Sequence, residues 1–299
     1  MVIVSGSSGF VGQNLLNSIP EAVGVSLRDK NWPEKFKDSS IIINLVGKAH
    51  DHLGIATKED YYLVNFDLTK SIFEEFVRSK SKLFIHISSI AATEEIESVE
   101  PLVEEGVCNP VSWYGKSKRD AEEWLLNQEM PEGKKMIILR PPMIHGPGDK
   151  GNLGLLYKFI SKGLPYPFSN FNNSRSFISI TNFIFYIKEV IAKYEDMENG
   201  IYHVADNEFI STTDIIEIIK GVTGKNVLKL GLPKSIVRLI ANMGEVLPIP
   251  LNKTKLKKLT STLVVSNKKI NRSLNITKLP ETSSEGVIRT INWFRNNNH

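Results

Sequence analysis

Apolar residues cluster in short runs along the first half of the chain, and longer stretches with helical spacing separate those runs. The apolar runs predict five β-strands, at residues 2–4, 22–27, 41–46, 83–87 and 136–139. Apolar positions three or four residues apart predict helices in the intervening stretches, at residues 10–19, 61–79 and 114–128. This alternation predicts an α/β fold with a doubly wound parallel sheet and helices on both faces.

The pattern becomes less regular beyond residue 150. The apolar run at residues 201–205 predicts one further strand that returns to the sheet. The rest of this half is rich in lysine, and its apolar residues have the spacing of amphipathic helices. We therefore expect a sheet domain over residues 1–150, with 176–205 returning to it. Residues 151–175 and 206–299 are expected to form a smaller, mostly helical C-terminal region.

Composition and charge are those of an ordinary folded protein. The 299 residues are 41% hydrophobic and 23% charged, and 37 basic against 33 acidic residues give a mild net charge of +4 spread along the chain. One basic cluster, at residues 253–258, is typical of a solvated helix face, so we expect no nucleic-acid partner. Cys108 is the only cysteine and the histidines lack ligand spacing, so we expect neither an intrachain disulfide nor a metal site.

No segment has the features of a signal peptide or of a membrane span. The first residues lack a basic region, and the apolar run among them is too short for a signal peptide. The most apolar later stretch, residues 236–251, is short and contains Arg238 and Glu245. We therefore expect a cytoplasmic protein that does not span a membrane.

Three glycines follow the first predicted strand and open the first predicted helix. Gly6 permits a tight turn, Gly9 lets the backbone approach a pyrophosphate, and Gly12 allows the helix to pack closely on the strand. The phosphates would lie at the helix N-terminus, where main-chain amides are unpaired. The spacing and position together predict a Rossmann-type dinucleotide site in the domain over residues 1–150.

The end of the second predicted strand bears on which dinucleotide binds. An NAD site usually has an acidic residue here to hold the ribose hydroxyls, but Ser26 stands at that position. Arg28 is suited to pair with a 2′-phosphate through its guanidinium, which favours NADP. Asp29 keeps NAD as the alternative.

Tyr114 and Lys118 lie four residues apart on one face of a predicted helix. A lysine ammonium beside a phenol favours the phenolate, so we expect Lys118 to lower the pKa of Tyr114. Ser89 follows the fourth predicted strand, at the edge of the sheet where such folds bind ligands. Together the three residues predict a Ser–Tyr–Lys constellation that exchanges a proton with a substrate hydroxyl or carbonyl.

In these motifs the chain resembles an extended short-chain dehydrogenase/reductase of the nucleotide-sugar epimerase/dehydratase branch. The matching pieces occur in the family order over nearly the whole chain: SGSSGFVG, NLVGKAH, VNFDLT, HISSIAA, NPVSWYGKSKRDAEE, LRPPMIHGPG, NSRSFISITN and IYHVADNEFIST. Several pieces are similar to bacterial enzymes of surface-polysaccharide sugar synthesis, which are hexose 4-epimerases or reductases of UDP-linked 4-keto-6-deoxy-N-acetylhexosamines.

The resemblance implies a role for each site residue. The implied catalytic set is Ser89, Tyr114 and Lys118, and Tyr114 and Lys118 also contact the cofactor. The implied cofactor contacts are Gly6, Ser8, Gly9, Phe10 and Val11 at the pyrophosphate, and Leu45, Val46 and Gly47 beside the adenosine half. The implied substrate contacts, in addition to Ser89, are Asn152 and Arg175, the latter on the diphosphate of the nucleotide sugar.

The resemblance leaves three readings of the function open. The leading one is NAD(P)-dependent reduction of the C4 keto group of a UDP-linked (6-deoxy-N-acetyl)hexosulose, with NADP favoured by Arg28. The alternatives are a UDP-glucose or UDP-N-acetylglucosamine 4-epimerase with tightly bound NAD, and a non-catalytic dinucleotide-binding regulator. Family likeness also implies a homodimer packed through the helices that begin near Tyr61 and Tyr114.

The sequence departs from the family pattern in several places, among them the missing acidic residue after the second strand and Ala92-Thr93-Glu94, where many epimerases have Val-Tyr-Gly. Residues 28–40 are too few for the usual extra strand and helix before the third strand. His145 stands where a tyrosine is common, and we expect it to pack or to hydrogen-bond a loop rather than to catalyse.

Overall fold

The structure is a computed structural model. It describes residues 1–49, 55–149, 151–163, 166, 170–225, 231–243, 256–257 and 260–297. The statements that follow concern these residues.

A six-stranded parallel sheet forms the centre of the fold. Its strands in chain order are β1 (Val2–Ser5), β2 (Ala22–Val25), β3 (Ile41–Asn44), β4 (Leu83–Ile87), β5 (Lys135–Arg140) and β8 (Gly200–His203). Their order across the sheet is β2-β1-β3-β4-β5-β8. The direction of strand addition reverses between β1 and β3, and open α/β sheets bind ligands in the crevice at such a point. Two short parallel strands, β6 (Met143–His145) and β7 (Phe177–Ser179), pair separately.

Helices cover both faces of this sheet and build the C-terminal region. In chain order they are α1 (Phe10–Ser18), α2 (Trp32–Phe36), α3 (Lys58–Tyr62), α4 (Leu68–Arg78), α5 (Trp113–Leu126), α6 (Asn152–Ser161), α7 (Ile180–Lys193), α8 (Thr212–Thr223), α9 (Lys234–Met243), α10 (Lys268–Ser273) and α11 (Ser283–Asn296). A π-helical turn, Leu63–Asp67, joins α3 to α4. Single 3-10 turns occur at Ile90–Ala92 and Tyr194–Asp196.

Strand residues alternate between two cores because successive side chains of a strand point to opposite faces. Val2 and Val4 pack with α1 and α7 on one face, whereas Ile3 packs with α4 and α5 on the other. Aromatic side chains fill much of the second core: Phe36, Phe73, Phe76 and Phe84. Both faces of the central strands are therefore apolar, as expected for a parallel sheet between two helical layers.

A separate core lies in the C-terminal part of the fold. Side chains of α6, α8 and α11 pack together there, among them Tyr157, Ile216 and Phe294. The loop that contains Arg175 is joined to this part by main-chain bridges to Ile210 and Leu263. By contrast, Ile270 and Leu274 at α10 pack in the core of the main sheet. The proposed domain division at residue 206 stays a prediction.

The predicted fold class is confirmed, with differences in detail. The predicted strands at 22–27 and 41–46 end two residues early, because the chain leaves the sheet to form loops at its carboxyl edge. The predicted helix at 61–79 begins at Lys58 and contains the π-helical turn. The short stretch 28–40 holds one helix of five residues, α2.

Candidate active site

The glycine turn after β1 lies at the crevice between β1 and β3. Gly6 has a φ of +76°, and a Cβ there would lie 2.8 Å from the carbonyl carbon of Leu45. Glycine is therefore required by conformation and by the close approach of the two loops. This contact places the segment Leu45–Val46–Gly47 directly beside the glycine turn.

The N-terminus of α1 fits the pyrophosphate of a dinucleotide. Gly9 caps this helix without a side-chain hydrogen bond, and both Ser8 and Gly9 are exposed. A Cβ on Gly9 would approach only the carbonyl oxygen of Gly6, at 3.5 Å, so protein packing does not demand glycine there. A cradle of this kind leaves room for phosphate oxygens against main-chain amides.

The end of β2 is followed by an exposed basic residue and by an acidic residue that forms an ion pair. Arg28 is exposed, and its main-chain amide donates to the Ser26 hydroxyl at 3.3 Å. Asp29 is the acidic residue that could serve an NAD site in place of Arg28. Its carboxylate forms an ion pair with Lys35 at 2.9 Å. The Arg28 guanidinium is therefore an exposed positive charge next to β2, and the carboxylate beside it is paired with Lys35.

Lys118 is buried and faces the ends of two strands. Its ammonium donates to the carbonyl oxygen of Ile87 at 2.9 Å and approaches that of Val46 at 3.4 Å. Gly47 lies against it, since a Cβ on Gly47 would be 3.1 Å from the Lys118 Nζ. Burial lowers the pKa of Lys118 from 10.5 to about 8.

Tyr114 and Ser89 meet across the gap between α5 and the loop after β4. Burial raises the pKa of the Tyr114 phenol, its hydrogen bond with the Ser89 side chain lowers that pKa in part, and the charges of Glu95 and Glu122 raise it further. The predicted lowering of this pKa by Lys118 is therefore wrong. Burial of the phenol is the largest influence on this pKa, and it outweighs the hydrogen bond with Ser89.

The start of α5 is tied to the loop that follows Ser89. Glu95 accepts hydrogen bonds from the Ser112 amide at 2.9 Å and from the Ser112 hydroxyl at 2.7 Å. A Cβ on Gly115 would lie 2.4 Å from the Ala91 carbonyl oxygen, so the loop and the helix are in close contact. This packing brings Ser89 and Tyr114 within hydrogen-bond reach of each other.

Asn65, in the motif VNFDLT, links two loops of the candidate site. Its side chain accepts from the Lys48 amide at 2.8 Å and donates to the Ser117 hydroxyl at 2.9 Å. The π-helical turn around Asn65 is a distortion often found at functional sites. Asn65 therefore connects the loop after β3 to the helix that carries Tyr114 and Lys118.

A buried ion pair lies one turn further along α5. The Arg140 guanidinium donates to both carboxylate oxygens of Glu122, at 2.8 and 2.6 Å, and both side chains are fully buried. Arg140 also contacts Cys108 and His203. The bidentate pair fixes α5 against the end of β5.

The two predicted substrate contacts lie in the C-terminal part of the fold. Asn152 is exposed at the start of α6, next to Gly151. Arg175 is partly buried, and its guanidinium donates to the Ser261 carbonyl oxygen at 3.2 Å. Burial lowers the pKa of Arg175 from its ordinary value. The substrate roles of these two residues stay predictions.

His145 has a structural role, as expected. It is fully buried on β6, and its Nδ1 pairs with the Thr290 hydroxyl of α11 at 3.0 Å. Burial lowers its pKa to about 4, so the ring is neutral near pH 7. Among the described residues, no cluster of three or more His, Cys, Asp or Glu side chains is arranged to hold a metal ion.

A model of the NAD dependent epimerase/dehydratase family matches residues 2–205 of the chain. Among curated relatives, a UDP-glucose 4-epimerase of Vibrio cholerae is 27% identical, covering 98% of this chain and 95% of the relative. A UDP-2-acetamido-2,6-beta-L-arabino-hexul-4-ose reductase of Pseudomonas aeruginosa is 26% identical, covering 67% of this chain and 50% of the relative.

The name of a third relative gives a sugar linked to diphospho-undecaprenol instead of UDP. The N-acetyl-alpha-D-glucosaminyl-diphospho-ditrans,octacis-undecaprenol 4-epimerase of Escherichia coli O157:H7 is 24% identical, covering 98% of this chain and 94% of the relative.

Two solved structures have the same fold. UDP-glucuronic acid 4-epimerase from Bacillus cereus in complex with NAD superposes with a TM-score of 0.77 at 16% identity, covering 100% of this chain and 99% of the other. RMD from Pseudomonas aeruginosa complexed with NADPH gives a TM-score of 0.75 at 17% identity, covering 99% of each chain. Both dinucleotides thus occur in neighbours with this fold.

Proposed function

The chain belongs to the NAD dependent epimerase/dehydratase family, and we propose that it reduces the C4 keto group of a UDP-linked (6-deoxy-N-acetyl)hexosulose. The product would serve the synthesis of a surface polysaccharide. The observation that favours reduction is the exposed guanidinium of Arg28 at the end of β2, where an NAD site usually has an acidic residue. A reductase exchanges NADP at each turnover, whereas an epimerase retains NAD.

The residues of the site have distinct tasks in this reaction. A bound nicotinamide dinucleotide supplies the hydride that adds to C4. Tyr114 holds the proton at its phenol oxygen and gives it to the developing C4 oxyanion. Ser89, which hydrogen-bonds the same phenol, orients the keto oxygen toward it. Lys118, whose ammonium lies at the ends of β3 and β4, would donate to the nicotinamide ribose.

NADP is the proposed cofactor, with NAD as the alternative. The exposed guanidinium of Arg28 beside β2 is suited to a 2′-phosphate, and Asp29 is held by Lys35. An acidic residue that faced the ribose would instead repel the extra phosphate. The Pseudomonas aeruginosa reductase supports the reaction class.

The second candidate is a 4-epimerase with retained NAD. Two relatives named as 4-epimerases align with almost the whole chain, and this coverage favours the alternative. The carrier of the sugar is proposed as UDP, as in the name of the Vibrio cholerae relative. A regulator without activity is disfavoured, because a binding module has no need of Ser89, Tyr114 and Lys118 together.

We also propose a homodimer in which α3 and α5 form the contact. Tyr62 donates to Asp120 at 2.6 Å and joins these two elements, while Leu63 and Trp113 expose apolar surface beside them. Such a patch is suited to burial against a second copy.

The first experiment is denaturation of the purified protein, identification of any released dinucleotide, and titration of the empty protein with NADPH and NADH. The proposal expects an empty protein that binds NADPH at least about tenfold more tightly, and that consumes NADPH with a UDP-linked 4-keto-6-deoxyhexosamine. Stoichiometric NAD that survives purification, together with interconversion of C4 epimers, would overturn reduction in favour of epimerisation.

A further inference from the structure

The positive charge of the chain is concentrated in two segments of the C-terminal region. Residues 150–175 contain four basic residues and no acidic one, and residues 225–258 contain eight basic residues and one acidic one. These 60 residues carry a net charge of +11 in a chain of net charge +4, so the remaining residues carry −7. The even spread of charge expected above is therefore wrong, and the segregation points to an anionic partner.

Helix α6, in the first of these segments, combines that charge with exposed apolar side chains. Leu155 is 59% exposed and Phe159 is 39% exposed. Lys158 and Lys162 are also exposed, and the spacing of the four residues places them on one face of the helix. The opposite face, with Leu153, Tyr157 and Ile160, is buried in the C-terminal core.

The described part of the second segment has a related composition. Helix α9 buries Val237 against Leu256, whereas Arg238 and Leu239 are exposed, Leu239 by 59%. Between residues 225 and 243 there is no acidic residue. A second basic helix therefore also presents an aliphatic side chain to solvent.

We propose that the face of α6 formed by Leu155, Lys158, Phe159 and Lys162, referred to below as the α6 face, docks on an anionic lipid surface. Lysines beside aliphatic and aromatic side chains are the composition of an interfacial helix, in which the apolar groups enter the headgroup region and the lysines pair with lipid phosphates. A nucleic acid would bind through the positive charge alone, and an exposed leucine would add little to its affinity. No described helix is long and apolar enough to cross a bilayer, so the association is peripheral.

The position of the α6 face gives the docking a consequence for the enzyme. The helix begins at Asn152, the predicted substrate contact, and Leu155 lies one turn further along. A protein docked in this way holds the start of α6 near the membrane surface. The inference is independent of the proposed reaction, because vesicle binding is measured without substrate.

The test is co-sedimentation of the full-length protein with phosphatidylcholine vesicles that contain about 30% phosphatidylglycerol, compared with phosphatidylcholine alone. We expect binding to the anionic vesicles that weakens as salt is raised. The double variant Lys158→Glu/Lys162→Glu should lower the apparent affinity at least about tenfold, and Leu155→Ser/Phe159→Ser about threefold or more.

Matched controls separate the α6 face from general effects of charge and hydrophobicity. Lys30→Glu/Lys82→Glu changes the same charge at exposed sites in the sheet domain, and Val99→Ser/Val107→Ser removes more strongly exposed apolar groups, at 97% and 92%. Both controls should bind vesicles within about twofold of the unmodified protein. Dinucleotide binding by every variant reports that the fold is intact.

Three results would overturn the proposal. The first is the absence of binding to anionic vesicles at low ionic strength. The second is equal binding of single-stranded RNA with no effect of Leu155→Ser/Phe159→Ser, which would assign the charge to a polyanion site. The third is conversion of a dimer to a monomer by the apolar variant with unchanged vesicle binding, which would make the α6 face a contact between copies.

Discussion

The ammonium of Lys118 donates a 2.9 Å hydrogen bond to the carbonyl oxygen of Ile87, two residues before Ser89. This bond ties α5 to the carboxyl end of β4. The structure combines a lysine of lowered pKa with a tyrosine of raised pKa. Burial is the largest cause of both shifts, because it disfavours the charged form of each group.

Replacement of the phenol tests the proton donor. Tyr114→Phe removes the hydroxyl but keeps the ring, so turnover should fall by about a thousandfold while NADPH affinity changes by less than about threefold. Steady-state kinetics and a binding titration measure the two effects. Tyr194→Phe, at a hydroxyl near Glu195, is the matched control and should turn over normally. Normal turnover by Tyr114→Phe would refute the mechanism.

The exposed guanidinium of Arg28 makes cofactor choice testable. Arg28→Ala should weaken NADPH binding about tenfold and leave NADH binding almost unchanged, because only NADPH carries a 2′-phosphate. Lys30→Ala is the control for a nearby exposed charge and should change neither affinity by more than about twofold. Equal weakening of NADPH and NADH binding would show that Arg28 does not contact the 2′-phosphate.

The fully buried pair of Glu122 and Arg140 predicts a large effect on stability. Glu122→Gln leaves the Arg140 charge buried without a counter-charge and should cost about 3–5 kcal/mol in the free energy of unfolding. Replacing both residues, with Glu122→Leu and Arg140→Met, should recover most of that loss. Urea unfolding measures both variants. Glu34→Gln, which breaks the exposed pair with Lys37, should cause no measurable loss.

Asp206 predicts a pH-dependent stability. Burial raises the pKa of this carboxyl from 3.8 to about 6, so between these values the folded protein binds more protons than the unfolded chain. Stability from this group is present at low pH and is lost as the pH rises through about 6. Asp206→Asn should therefore stabilise the protein by about 2–3 kcal/mol near pH 8 and have little effect near pH 4.

Asp206 accepts hydrogen bonds from the Ser179 amide and from the Asn182 side chain. An asparagine at this position retains a side-chain oxygen that can accept both. Urea unfolding at the two pH values compares the variant with the unmodified protein. Asp38→Asn is the control at an exposed carboxylate, whose pKa Lys80 lowers. A gain for Asp206→Asn that is the same at both pH values would contradict the assignment.

The sequence alone was sufficient for the parallel sheet and for the glycine turn that follows its first strand. Apolar runs buried on both faces and the glycine spacing after β1 are local patterns, so they predicted strands, helices and the dinucleotide turn. The spacing of Tyr114 and Lys118 also fixed them on one helical face. Strand ends were predicted less well, because they depend on where the neighbouring strand stops offering hydrogen bonds.

Only the tertiary structure decided the surroundings of Ser89, Tyr114 and Lys118. The sequence places Lys118 near Tyr114, and from this the phenol was expected to be acidic. The fold buries the phenol and places the charges of Glu95 and Glu122 near it, so the pKa of Tyr114 moves the other way. A pKa depends on burial and on partners distant in sequence, which no local spacing contains.

The same distinction holds for the residues that support the site. Asn65 and Ser117 are 52 positions apart, and Glu122 and Arg140 come from different elements of the fold. The uneven distribution of charge, by contrast, can be read from the sequence alone. Which face of α6 is exposed depends on the tertiary structure, because packing buries Tyr157 and Ile160 on the opposite face. Sequence periodicity thus determined the elements, and packing determined which side chains are buried, paired or available.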